Sequence, residues 1–160
     1  MCRAVRGYRA RHPTDSENLM SALTLKPEHV LGLPPMDDIH HEFMRLLAAL
    51  DDAPDAGQLP VLDALLAHTE AHFAQEDVWM DASDFPPMHC HRGEHERVLE
   101  VLREVRRLAA AGDHGIVRTL VRELPQWFEH HASTMDTVLA EHIAATGYIA
   151  ETTLDGLVTT

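Results

Sequence analysis

Two residue pairs in this chain stand four apart and carry donors that could hold a metal together: His72 with Glu76, and His91 with His95. A helix brings residues four apart onto one face, so each pair aims two donors at one place. Two further places offer donors. His40 or His41 lies upstream, and His130 or His131 is followed by Asp136. One imidazole from each doublet gives five imidazoles and two carboxylates in all. That set suits a pair of octahedral iron ions, because imidazole and carboxylate are both ligands such ions accept. Spacing does not choose within either doublet.

One pair alone is weak evidence. Thirteen histidines produce an HxxxH by chance, and this chain has two, His68/His72 and His91/His95. Phase carries more weight. His72 falls in line with Leu65 and Trp79, and His91 and His95 share a face with Val98 and Leu102. A histidine or glutamate aimed at a core must be bonded or liganded, since an unpaired buried charge is costly. His131 and Asp136 stand five apart, which a regular α-helix would place about 140° apart around its axis. Aiming both at one cluster predicts a π-type bulge between them.

Four helical stretches must position these residues. Apolar residues at three- and four-residue steps predict helices over about 36–50, 60–80, 87–111 and 116–146. Pro34 and Pro35 mark the first start, and the loops at 51–58, 81–87 and 110–115 separate the stretches. Pro125 predicts a kink or break near Leu124, because proline removes a backbone donor and crowds the preceding turn. Gly147 is the expected stop. Beyond it, YIAETTLDGLVTT is expected to form a short helix or fray. There are no internal repeats and no β pattern. The short loops imply an all-α, up-down-up-down antiparallel four-helix bundle with an N-terminal arm.

The domain layout is read as a disordered extension over 1–19, the bundle over 20–150 and a C-terminal tail over 151–160. The chain is 45% hydrophobic, enough for one core, and no run of about eighteen apolar residues suggests a membrane span. No secretory segment is evident, so a soluble, cytoplasmic protein is expected. The net charge is −13 with histidines neutral. Four arginines fall in residues 1–19, leaving a body more acidic still. Such a body repels nucleic-acid phosphates and anionic membranes, so neither is an expected partner. The two cysteines, Cys2 and Cys90, are too few for a cysteine-rich zinc site. No structural disulfide is expected, and Cys90 is read as an inert, half-buried thiol. The oligomeric state is left open, a monomer being preferred.

The motifs resemble those of the hemerythrin family. MDDIHHEF (36–43) is similar to the family's first-helix motif, with His40 at the ligand position. HFAQEDVWM (72–80) resembles HFxxEExxM, FPPMHCHRGEH (85–95) resembles YPxxxxHxxxH, and WFEHHASTMD (127–136) resembles WLxxHxxxxD. The resemblance covers about residues 25–140. It implies that His91, His95 and His131 hold one iron and His40 and His72 the other. Glu76 and Asp136 would bridge both, together with a hydroxide or oxide. One octahedral position would remain open, on the iron held by His40 and His72, for dioxygen or another small diatomic ligand. The implied function is oxygen binding, storage or sensing by a non-haem di-iron protein, more as a binding protein than an enzyme. The alternatives are a di-iron redox enzyme acting on peroxide or nitric oxide, and an iron-handling protein. Zinc is a rival occupant, because imidazole suits it too. A ferritin-like site is disfavoured, because no E-x-x-H spacing occurs.

Four residues are expected around the cofactor: Trp127, Ala132, Thr134 and His68. Trp127 matches the family. Ala132 stands where an isoleucine is usual, Thr134 where some members place leucine, and Leu25 where an arm tryptophan is usual. These departures predict a roomier, wetter pocket and faster autoxidation. His68 stands where tyrosine is usual and is expected as a donor behind the ligands or as an extra ligand. His12, His29, His114 and His142 are expected at the surface. His41, His89 and His130 should point away from the metals.

Overall fold

The computed structural model describes residues 26–153. The expected extension over 1–19, Leu25, His12 and the last seven residues of the expected tail lie outside them. The described residues contain helices and turns and no strand. Helix α1 spans Pro34–Asp52, α2 Gln58–Ala82, α3 Met88–Ala110 and α4 His114–His131. A π-helical segment, Ala132–Asp136, joins α4 to α5, Thr137–Thr146. The α4–π–α5 run is one continuous rod, so the architecture is the expected four-helix bundle.

Local chemistry explains the element ends. Pro34 and Pro35 open α1, where a missing N–H costs nothing. The buried Asp37 carboxylate accepts from the Leu31 N–H at 2.7 Å and the Gly32 N–H at 3.1 Å, folding the arm back onto the first turn. Asp113 caps α4 by accepting from the Ile116 N–H at 3.2 Å. Gly147 ends α5 at φ +72°, a left-handed conformation that glycine adopts without strain.

Pro125 does not break its helix. α4 runs through it, with Pro125 buried. The Gln126 amide donates to the Arg122 carbonyl at 3.0 Å, supporting the backbone beside the gap. Packing therefore outweighs the lost backbone bond.

Helices α1 with α2, α2 with α3, α3 with α4, and α4 with α1 pack as neighbours, closing the bundle. Three arginines of α3 reach acids on α2: Arg92 to Asp77 and Asp81, Arg103 to Glu70, and Arg106 to Asp63. Residue numbers rise along one helix as they fall along the other, so the pair is antiparallel. Such exposed pairs fix register more than stability, at about 0–1 kcal/mol each.

The core has two parts. Phe43, Leu47, Leu62, Leu65, Leu102, Leu120 and Phe128 belong to a large cluster. Met36, Ile39, Trp79, Met80, Phe85, Leu139 and Ile143 form a smaller one. On α1, His40 lies between residues of the two clusters. On α2, His72 and Glu76 do so, and on the last rod, Asp136 does so. The polar layer thus sits between two apolar plugs.

Three further expectations change here. After Gly147 the chain neither forms a helix nor leaves the bundle through Thr153. The Trp79 indole N–H donates to the Glu151 carbonyl at 2.9 Å, and the Thr153 N–H donates to Gln75 Oε1 at 2.7 Å. His29, expected at the surface, is buried, with Nε2 3.7 Å from Glu129. Cys90, expected as a free thiol, is disulfide-bonded. No helix among the described residues is long and apolar enough to cross a membrane.

Candidate metal centre

The helical repeat places the donors where the sequence spacing requires. His72 and Glu76 face inward from α2, and His91 and His95 from α3. The π-helical turn carries Asp136 round to the face of His131, and the Thr137 hydroxyl bonds to the Ala132 carbonyl at 2.9 Å across it. Both histidine doublets resolve. His40 is fully buried, whereas His41 is exposed and bonded through Nδ1 to the Asp37 carbonyl. His131 is buried and His130 exposed. All seven residues His40, His72, Glu76, His91, His95, His131 and Asp136 are 3% exposed or less.

Their polar atoms converge. Nε2 of His131 lies 3.2 Å from Nε2 of His91 and 3.0 Å from Nε2 of His95. Ligands at right angles on a metal with bonds of about 2.1 Å would stand about 3.0 Å apart, and tetrahedral ligands about 3.4 Å. The 3.0 Å spacing matches neighbouring octahedral positions, and the 3.2 Å spacing lies between the two geometries.

Each carboxylate divides its two oxygens. Glu76 Oε1 lies 2.6 Å from His72 Nε2, while Oε2 lies 3.0 Å from His91 Nε2 and 3.5 Å from His95 Nε2. Asp136 Oδ1 lies 3.1 Å from Nε2 of both His91 and His131, while Oδ2 lies 3.3 Å from His40 Nε2. Donors therefore gather in two groups that share Glu76, and Asp136 of the first reaches His40 of the second. One group is Glu76, His91, His95, His131 and Asp136, and the other contains His40, His72 and Glu76.

The 2.6 Å approach of His72 Nε2 to Glu76 Oε1 is a hydrogen bond, whereas the approaches of Glu76 Oε2 and of Asp136 to the imidazoles are not. His40 Nε2, Glu76 Oε2 and both Asp136 oxygens are buried with no hydrogen-bond partner. Their lone pairs aim between the groups rather than along N–H bonds, which fits cations held there. Protonation is also conflicted. Burial pushes both carboxyls up, and Asp136 adds to this for Glu76, yet the surrounding imidazoles hold Glu76 and Asp136 below the usual carboxylate range. Burial opposes charge on His91, but Asp136 and Glu76 outweigh it and push the ring up to about 10. Burial pushes its neighbour His95 down to about 3. Without cations, protons must balance the carboxylates unevenly among like rings.

Aromatic packing orients the imidazoles. Nδ1 of all five donor histidines is buried without a hydrogen bond. Phe73 stacks on His95 and Trp127 on His131, with centroids 4.7 Å apart in the latter pair. Phe128 meets His40 edge-on at 5.0 Å. Phe43 stacks on Phe128 and turns its edge toward His72. The sequence reading gave Phe43, Phe73 and Phe128 no role beside the donors. Phe73 directly follows His72, a signal it could have used.

The residues expected around the cofactor divide. Trp127 is half-buried against His131, with its N–H on Glu94 at 3.2 Å. Ala132 is fully buried in the large core cluster. His68 is buried beside His72, with Nε2 on the Ile39 carbonyl at 3.1 Å. Thr134 is a correction: it is exposed, with its hydroxyl on the His130 carbonyl, because the π turn faces it outward. Aromatic rings line the His40–His72 side of the site. Phe43 and Phe128, 1% and 3% exposed, pack beside His72 and His40 and share the large core cluster with Ala132.

The comparisons with known proteins give the family. The Hemerythrin HHE cation binding domain profile matches residues 31–143, a span containing all seven donors. A bacteriohemerythrin of Ralstonia nicotianae is 50% identical over 117 residues, 73% of this chain and 85% of the relative. Bacteriohemerythrins of Stenotrophomonas maltophilia and Methylococcus capsulatus are 25% and 22% identical, over 79% and 68% of this chain and 84% and 86% of their own lengths. No solved structure matches the chain. With the family profile spanning the bundle and half of the aligned residues shared with one relative, the chain belongs to the hemerythrin family of HHE cation-binding domains.

Proposed function

We propose that this chain is a non-haem di-iron protein that binds dioxygen. The observation that carries the reading is the division of each carboxylate's oxygens between two histidine groups. A single ion needs no such division, whereas two neighbouring ions sharing two bridges do. His91, His95 and His131 would hold one iron, His40 and His72 the other, and Glu76 and Asp136 both. That gives one iron five protein donors and the other four. With one bridge from solvent, the four-donor iron alone keeps an open position. Two ferrous ions would supply the two electrons that dioxygen binding draws on.

The chain's own residues do the rest. Glu76 and Asp136 cancel half the charge of two dications in a buried layer, where uncompensated charge is costly. Phe43 and Phe128 keep water from the His40–His72 side, which disfavours escape of charged oxygen species. Trp127 and Phe73 hold the planes of His131 and His95. The three relatives carry the name bacteriohemerythrin, which agrees with this reading.

The test is metal analysis with an optical spectrum. Metal-free protein is loaded anaerobically with ferrous ion, exposed to oxygen and then degassed. Two irons per chain and a spectral change that reverses on degassing are expected. One iron, or no change with oxygen, sinks the reading. Steady turnover of peroxide or nitric oxide with an added reductant would make the protein an enzyme instead.

A further inference from the structure

We propose that His68 is the positioning residue for the four-donor half of the site: by tying α2 to the α1 backbone beside His40, it sets the separation of the His40 and His72 imidazoles and so governs uptake of the second ion. The proposal rests on the di-iron reading and gives a role to a residue outside the donor set.

The two halves of the site are built differently. In the five-donor half, His91 and His95 project from one helix, and that helix fixes their spacing. In the four-donor half, His40 comes from α1 and His72 from α2. No single element sets their separation, which follows the packing of α1 on α2. A small shear between these helices would part the two nitrogens.

His68 sits where that shear is opposed. It lies one turn before His72, with ring centroids 6.1 Å apart. Its Nε2 stands 3.1 Å from the carbonyl oxygen of Ile39, the residue immediately before His40. A carbonyl only accepts, so Nε2 carries the proton and donates. One hydrogen bond thus links the backbone next to one imidazole with the helical turn before the other. His68 is itself 6% exposed. Burying an imidazole costs free energy unless it is bonded, and an aliphatic side chain would fill the space without that cost. What the ring adds over an aliphatic group is the directional tie. Its Nε2 is turned to Ile39, and His68 is absent from both donor groups.

The test is anaerobic titration of the metal-free chain with ferrous ion against a chromophoric chelator, which yields separate constants for the first and second ion. His68→Phe keeps a ring and removes the donor. The second ion should then bind about 10- to 100-fold more weakly, with the first changed by about twofold or less. His68→Gln returns an N–H donor and should recover most of the loss. Equal weakening of both ions, unchanged binding, or no recovery with glutamine overturns the proposal. Uptake of fewer than two ions by the unaltered protein sinks the di-iron reading instead. Should His68→Phe fail to fold, nitrogen NMR of the unaltered, loaded protein decides. A protonated Nε2 on His68 upholds the tie, and an unprotonated Nε2 overturns it.

Discussion

Phe73 lies flat on His95, with ring centroids 3.7 Å apart and planes 2° from parallel. Because His95 Nδ1 has no hydrogen bond, the stack is what holds the imidazole plane. A ligating histidine more often owes its orientation to a hydrogen bond on its second nitrogen. Phe73→Leu keeps the space apolar and removes the flat surface. It should cost about 1–1.5 kcal/mol of stability as a near-isosteric core change. It should also weaken ion binding about tenfold, the low end for a residue supporting a ligand. Equilibrium metal competition reads the second effect and denaturant unfolding the first. Unchanged affinity would mean that backbone position alone orients His95.

Glu76 and Asp136 are the donors whose loss should cost most, because the two oxygens of each face different histidine groups. Glu76→Gln preserves shape but removes the charge and one of the two acceptor oxygens. Metal content should fall from two ions per chain to at most one. Thermal stabilisation should fall with it, since each ion at a hundredfold excess over its Kd adds about 2.7 kcal/mol. Paired melts of the chelated and loaded forms measure this directly. A variant that still holds two ions with an undiminished shift would show that Glu76 does not bridge.

The layer of donors was legible because helix periodicity alone aligns residues four apart, as at His72/Glu76 and His91/His95. The five-residue step from His131 to Asp136 was legible for the opposite reason: it breaks that period, and only a wider turn restores one face. What stayed hidden depends on contacts distant in sequence. Phe43 and Phe128 belong to different helices, so their stacking over His40 and His72 follows from bundle packing. Thr134 sits within the π turn, where alignment gives a position but not a direction. Pro125 predicts a break by local rules, and its burial against the core overrides them. The docking of Glu151 and Thr153 on Trp79 and Gln75 leaves no period to read.

His68 should give the metal-free protein an acid-sensitive component of stability. Burial, with the nearby His72, pushes its pKa down to about 4 from an ordinary 6.5. Between those values the unfolded chain takes up a proton there and the folded chain does not. Falling pH therefore favours unfolding. The contribution is full above about pH 6.5 and lost progressively toward pH 4, on the order of 3 kcal/mol at most. His68→Gln keeps a donor but does not titrate. Its stability should fall less steeply over that window than that of the unaltered chain. Urea midpoints at several pH values, compared between the two, isolate this residue from the other buried histidines. Parallel curves would show that His68 does not titrate in this window.

Phe128 closes the His40 side of the site, edge-on to that ring at 5.0 Å and stacked on Phe43 at 5.1 Å. Phe128→Ala would remove both contacts and open a cavity beside the proposed oxygen position. Water there stabilises departing charged species, so oxidation of the reduced, oxygen-exposed protein should accelerate. The substitution should also cost about 3–5 kcal/mol of stability. Phe128→Leu provides the control, since it keeps most of the volume and much of the stability. Oxidation rates should rank alanine above leucine above phenylalanine, followed optically after oxygen is admitted. Equal rates in all three would place the reactive side elsewhere, and the half-buried Trp127 beside His131 would then be the wall to examine.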